Sequence, residues 1–399
     1  MARKSWPFRI SAFLIALVLC YFAATMSLAA YLRDRSAQTA LKIASYNAAA
    51  LAGAANDLLQ ADQSDDAMAT VRRQAQAALQ REPLNVLALR TLGLTASLEG
   101  DETLARAYFT LASRLTKRDL PLQLWWIEQK VTEGNLDQIL TYYDQALKTS
   151  QRANNVLLPV LTQASAEPLI AQRLPPLLAS RPSYFRQFFI QGTDNAINIT
   201  GLARIGRQVL DRGDSDDQDL INRTIMRFAR EQNFDEAWDM FAWAYGGTPD
   251  AKVLNGDFQK PVAFRLFNWD FTQSDAVTAE IGPRDDTDSL YLIANVSQGL
   301  AARQLLRLPP GRYRLQALVG DVPEAAIDRP TIAISCAVGD GTPLPPSDFP
   351  TSPSGQANLQ ETLNVRSGCR YQWLELTASA VSQDEVRTWI DDISIRPEG

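Results

Sequence analysis

The 399-residue chain has no histidine. That removes the usual general base near neutral pH, and with it Ser-His-Asp triads, Cys-His dyads, imidazole zinc sites and haem ligation by histidine. Carboxylate-pair glycoside hydrolysis, Ser-Lys chemistry and Ca²⁺ or Mg²⁺ sites survive, and no sequence pattern calls for the first two. Lysine is also scarce, with 7 among 39 basic residues. The arginine and alanine enrichment reads as the base composition of a GC-rich bacterium. Cysteine is limited to Cys20, Cys336 and Cys369, too few sulfurs for a thiolate metal site without imidazole. The composition therefore points to a binding or scaffold protein and away from an enzyme, with no cofactor called for.

What is present is unevenly distributed. Before Leu254 there are 27 basic and 26 acidic residues, and from Leu254 onward 12 and 19. The acidic C-terminal part repels phosphate backbones, so nucleic acid is not an expected partner. Residues 10–32 are almost continuously apolar, and a helix of that length reaches about 34 Å, enough to span a bilayer. Arg3, Lys4 and Arg9 make residues 1–9 a basic, cytoplasmic n-region, although Arg33, Arg35 and Lys42 follow the run and weaken the charge asymmetry. A cleavable signal peptide ending near Ser27-Leu28-Ala29 is the competing reading, against which the run is long; Cys20 is a bystander within it. Either way the rest is exported, and the expectation is a single-pass protein of a bacterial inner membrane with its bulk in the periplasm. Cys336 and Cys369, 33 positions apart in strand-like runs, are expected to form a disulfide there; two separate buried thiols are the alternative.

From residue 36 to 245 apolar residues recur at helical spacing and Gly-Asn or Gly-Asp turns separate segments of helical length. In the clearest unit Leu89, Leu92 and Phe109 fill a seam that the small residues Gly93, Ala105 and Ala112 allow to close. Gly100 is followed 34 positions later by Gly134, and Phe109 and Ala112 by Tyr143 and Ala146. This period resembles tetratricopeptide repeats. The resemblance implies an α-solenoid of helical hairpins that docks an envelope protein partner on its concave face, with Arg90, Leu94, Ser97, Glu128 and Val131 lining the groove. Of the adjacent Trp125 and Trp126, Trp126 is assigned to the core.

Composition changes over a linker at 246–253, after which 12 of the 21 prolines fall and short strand-like runs replace helical periods. Strands are expected at 262–271, 277–281, 289–296, 303–308, 312–319, 331–338, 359–365, 370–377 and 386–395, with the proline-rich stretch 339–358 as a long loop. The order Asn255-Gly256-Asp257-Phe258, Asn268-Trp269, the strand entered at Leu308, and Trp389 near the end resembles the jelly-roll carbohydrate-binding modules of the galactose-binding-like superfamily. The fold class is thus multidomain, α plus all-β: one transmembrane helix (10–32), a solenoid (36–245) and a C-terminal β-sandwich (254–399). The resemblance implies a structural Ca²⁺ near the first and last strands, at Gln259 and Asp391, although Gln259 stands where the family tends to have a carboxylate. Sugar binding needs aromatic faces. Trp269 and Trp389 lie at core-like phase, whereas Tyr371 and Trp373 share strand parity and form a glycan platform if their side of the sheet is open. The reading is a non-catalytic scaffold contacting a protein and a polysaccharide, in bacterial polysaccharide assembly or export. The alternatives are a pure protein scaffold of an envelope complex and, ranked last, a carboxylate-dependent hydrolase or lyase.

Overall fold

The computed structural model describes residues 6–33, 36–195, 199–249 and 252–398. Arg3 and Lys4 of the basic n-region lie outside them. The described helices are α1 (Trp6–Arg33), α2 (Ala37–Ile43), α3 (Ala48–Ala61), α4 (Asp65–Arg81), α5 (Val86–Leu98), α6 (Glu102–Leu115), α7 (Leu120–Thr132), α8 (Leu136–Thr149), α9 (Gln151–Ala164), α10 (Pro168–Leu178), α11 (Phe185–Asn195), α12 (Thr200–Val209), α13 (Ser215–Arg230) and α14 (Phe234–Tyr245). The strands are β1 (Asp270–Phe271), β2 (Val277–Arg284), β3 (Thr287–Asn295), β4 (Gln298–Leu306), β5 (Gly311–Val322), β6 (Thr331–Cys336), β7 (Leu344–Asp348), β8 (Ser352–Val365), β9 (Gln372–Ser379) and β10 (Glu385–Pro397). Two compact units divide at Leu157/Leu158, so α10 to α14 belong with the sandwich and the division does not fall at the 246–253 linker.

In the first unit the apolar run from Ile10 to Leu32 is helical, within α1. Among the described residues no helix is long and apolar enough to cross a membrane. The helices that follow form hairpins whose ends repeat. Asn85 and Asp119 cap α5 and α7 by accepting from Ala88 N–H and Leu122 N–H, and Asp101 and Asn135 cap α6 and α8 in the same way. Gly100 and Gly134 supply the left-handed turns between them, at φ +81° and +67°. A Cβ on Gly93 would lie 2.9 Å from the Phe109 ring, so the close helix approach read from the small residues is real. Trp126 is buried as expected, and Trp125 is buried beside it, its ring 4.2 Å from that of Phe109.

In the second unit two antiparallel five-stranded sheets, β1-β4-β9-β6-β7 and β2-β3-β10-β5-β8, enclose an apolar core that includes Trp269, Leu292, Leu315, Ile334, Leu374 and Ile390. Two expectations for the sandwich differ from the structure. Only Asp270–Phe271 of 262–271 is strand, because Phe264 turns the chain at φ +57°. The proline-rich stretch 339–358 contains β7 and the start of β8. It tolerates Pro345 and Pro346 because β7 is an edge strand, where a missing N–H costs no ladder bond. Cys336 and Cys369 form the expected disulfide, with Cα atoms 5.3 Å apart.

Candidate functional site

Tyr371 and Trp373 do face the same side of the sheet, since Leu374, Leu376 and Ala378 point into the sandwich core. That side is not an open platform. Phe234, at the start of α14, packs its ring 5.7 Å from Tyr371 and 6.3 Å from Trp373, leaving Tyr371 6% exposed. The Tyr371 hydroxyl donates to Asp235 Oδ1 at 2.7 Å, and Arg370 donates to the other oxygen at 2.7 Å. Burial, then the Asp235 carboxylate, pushes the Tyr371 hydroxyl well above its ordinary pKa. Trp373 is further stacked under Arg303, whose guanidinium is 4.6 Å from the ring centroid. The glycan platform expected at Tyr371 and Trp373 is therefore an intramolecular helix seat.

Gln259 and Asp391 are not arranged as calcium ligands. Asp391 is 4% exposed and its Oδ2 accepts from Arg284 at 3.1 Å and from the Ser289 hydroxyl at 3.0 Å, while Oδ1 accepts from Asp392 N–H. A guanidinium supplies the positive charge a cation would bring. Gln259 Nε2 donates to the carbonyls of Asp257 and Asp288 at 2.6 and 2.8 Å. A carboxylate there could make neither bond, which explains the amide at that position. Among the described residues no group of three or more His, Cys, Asp or Glu is placed to hold a metal ion. Arg284 also lies 4.0 Å over the ring of Trp389. Trp389 is buried, but on the outer face of its sheet: its neighbour Ile390 faces the core, and a Cβ on Gly320 would meet the indole at 2.2 Å. The core-like phase assigned to Trp389 is corrected accordingly, whereas Trp269 is in the core with Nε1–H donating to Asn255 O at 3.1 Å.

Of the expected groove residues, Arg90 is engaged within the helical stack, donating to Asp119 Oδ2 at 2.8 Å and Asn56 Oδ1 at 2.7 Å. Ser97 accepts from Trp125 Nε1–H at 3.2 Å, and Leu94 packs against the hairpin cores. These three bind neighbouring helices together, while Glu128 and Val131 on α7 are exposed. The five do not form one open lining.

Two concavities in the second unit were not read from the sequence. A groove of about 770 Å³ crosses the outer face of β10, β5 and β8, lined by the exposed amides of Gln316, Asn358 and Gln360 with Lys260, Asp392 and Arg396. Burial, then Asp391 and Asp257, raises the Asp392 carboxyl above its ordinary pKa. Alternation along β8 was the available signal, since Asn358 and Gln360 occupy alternate positions; that Gln316 of β5 lies opposite Gln360 is set by the sheet register. The other, a half-open cleft of about 470 Å³, is walled by Trp238 of α14, Phe267 and the turn between β4 and β5. No local pattern joins Trp238 to Arg307.

No family model matches the chain, and no curated protein matches it. Solved structures are similar at low identity. TmCBM61 in complex with β-1,4-galactotriose is 12% identical, over 38% of this chain and 100% of that one, with a TM-score of 0.27. The CBM22-1 xylan-binding domain of Paenibacillus barcinonensis Xyn10C is 12% identical, over 35% and 90%, at 0.26. The enzymatically active domain of bacteriophage CBA120 tailspike protein 4 is 15% identical, over 37% of this chain, at 0.27, and the match spans only 21% of the tailspike chain. At these scores the likeness carries no argument about ligands, and the sandwich assignment rests on its own two sheets.

Proposed function

We propose that the chain is a non-catalytic binding protein of the bacterial envelope, its helical hairpins docking a protein partner and its sandwich contacting polysaccharide during assembly or export. The observation that carries the glycan part is the groove across β10, β5 and β8. Its amides at Gln316, Asn358 and Gln360 offer paired donors and acceptors to hydroxyls, and Asp392, Lys260 and Arg396 add charged ones. The disulfide supports an oxidising compartment. The exposed apolar side chains of Phe13, Leu14, Ile15, Leu17, Val18 and Leu19 support a membrane seat for α1, the bulk then lying in the periplasm.

Electrophoresis of the full chain through gels containing neutral or acidic polysaccharides tests the reading. Retardation in at least one gel is expected, weakened about tenfold in apparent affinity by combining Gln316→Ala and Gln360→Ala. Unretarded migration in every gel would favour the second reading, a pure protein scaffold, which the burial of Tyr371 and the packing of Phe234 against Trp373 support.

A further inference from the structure

The cleft beside α14 differs in chemistry from the polar groove. Its walls are Trp238, Phe267, Leu254, Leu306 and the adjacent Pro309 and Pro310. Thr248 is the one hydroxyl side chain among the lining residues, which include no amide and no carboxylate side chain. Sugar hydroxyls entering there would lose water without gaining partners, so the cleft is unsuited to a glycan. It does hold cations. Arg307 is half-buried, its Cζ 5.2 Å from the Trp238 ring centroid and 6.0 Å from that of Tyr371. Both rings lie within cation–π reach of the guanidinium and hold it at the cleft wall. Among the described residues that guanidinium has no carboxylate or carbonyl partner, and neither has the ammonium of Lys252, which also lines the cleft. Arg370 at the rim is already paired with Asp235.

A guanidinium without an acidic partner among the described residues, in a cleft whose described lining is largely apolar and carries no carboxylate, suits a carboxylate attached to an apolar body. Because the cleft is half-open, a long acyl chain would remain partly wet, whereas a peptide can seat one terminal residue and leave through the open side. We propose that this cleft captures the free C-terminal carboxylate of a partner peptide whose last residue is apolar. Arg307 takes the carboxylate by paired N–H bonds, Lys252 adds charge, and Leu254, Phe267 and Pro309 receive the side chain.

The test is fluorescence anisotropy of the full chain with an end-labelled pentapeptide of sequence glycine, serine, glycine, valine, leucine, as free acid and as C-terminal amide. The free acid is expected to bind, with amidation and Arg307→Gln each weakening it at least about tenfold, and Lys252→Ala about threefold. Equal binding of acid and amide, no binding of the acid at about 1 mM, or an unchanged affinity in folded Arg307→Gln would overturn the proposal. If Arg307→Gln lowers the melting temperature, Lys252→Ala becomes the deciding variant, and an unchanged affinity there would overturn it too. Octanoate competing as tightly as the peptide would overturn the peptide as the source of the carboxylate. Combining Gln316→Ala with Gln360→Ala should leave peptide binding intact, so this result and the glycan result can fail separately.

Discussion

The seat of α14 on β9 is held by a contact whose removal gives two distinct signatures. Tyr371→Phe deletes the hydroxyl that donates to Asp235 and changes little else in the packing against Phe234. A hydrogen bond to an ionised acceptor contributes about 1.5–3 kcal/mol. The Asp235 side chain is 50% exposed, however, and water competes for it, so about 1 kcal/mol is expected. For a unit of this size that lowers the melting temperature by about 3 °C. Asp235→Ala should cost a similar amount, and the double variant little more than either single, because the two share one bond. Arg370→Ala should cost less than about 0.5 kcal/mol, its partner being largely solvated.

The second signature is in alkali. The Tyr371 hydroxyl ordinarily ionises near 10.0, and its folded pKa is raised first by burial and then by Asp235. Between about pH 10 and the raised folded value the unfolded chain binds fewer protons than the folded one, so this group's stabilisation is complete below about pH 10 and is lost as pH rises through that range. Tyr371→Phe should therefore flatten the alkaline decline in calorimetric stability measured between about pH 9 and 11. A variant melting within about 0.5 °C of wild type at pH 7 and declining equally in alkali would refute a helix seated through this bond.

Other consequences are simpler to read. Gly320→Ala places a methyl 2.2 Å from the Trp389 indole and 2.6 Å from Gly355 O, and should lower stability by about 3 kcal/mol or prevent folding, seen as loss of soluble protein or a depressed melt. Asp328, in the short helical turn before β6, accepts from the backbone N–H groups of Val381 and Ser382 at 2.7 Å each and from the Ser382 hydroxyl. Those Ser382 bonds hold its carboxyl below the ordinary range, so its stabilisation is present above about pH 4 and is lost as pH falls through the lowered value. Asp328→Asn should lower the melt at pH 7 and flatten the acid limb, and an acid limb identical to wild type would refute the assignment. Replacing Cys336 and Cys369 together by serine opens a 33-residue loop and should cost about 3–4 kcal/mol by chemical denaturation, an unchanged midpoint contradicting it.

Much of this architecture was legible along the chain because the relevant forces act locally. Hairpin turns at Gly100 and Gly134 need left-handed backbone, Asp101 and Asn135 sit where a helix start lacks acceptors, and strand alternation marks β3, β5 and β10. Parity likewise put Tyr371 and Trp373 on one side. Parity cannot say what covers that side: Phe234 arrives from more than a hundred residues away, and its burial is settled by packing between distant elements. The same separation hid the Arg284–Asp391 pair where calcium was expected and the meeting of Trp238 with Arg307, since a charge is known from its letter but its partner only from the folded geometry.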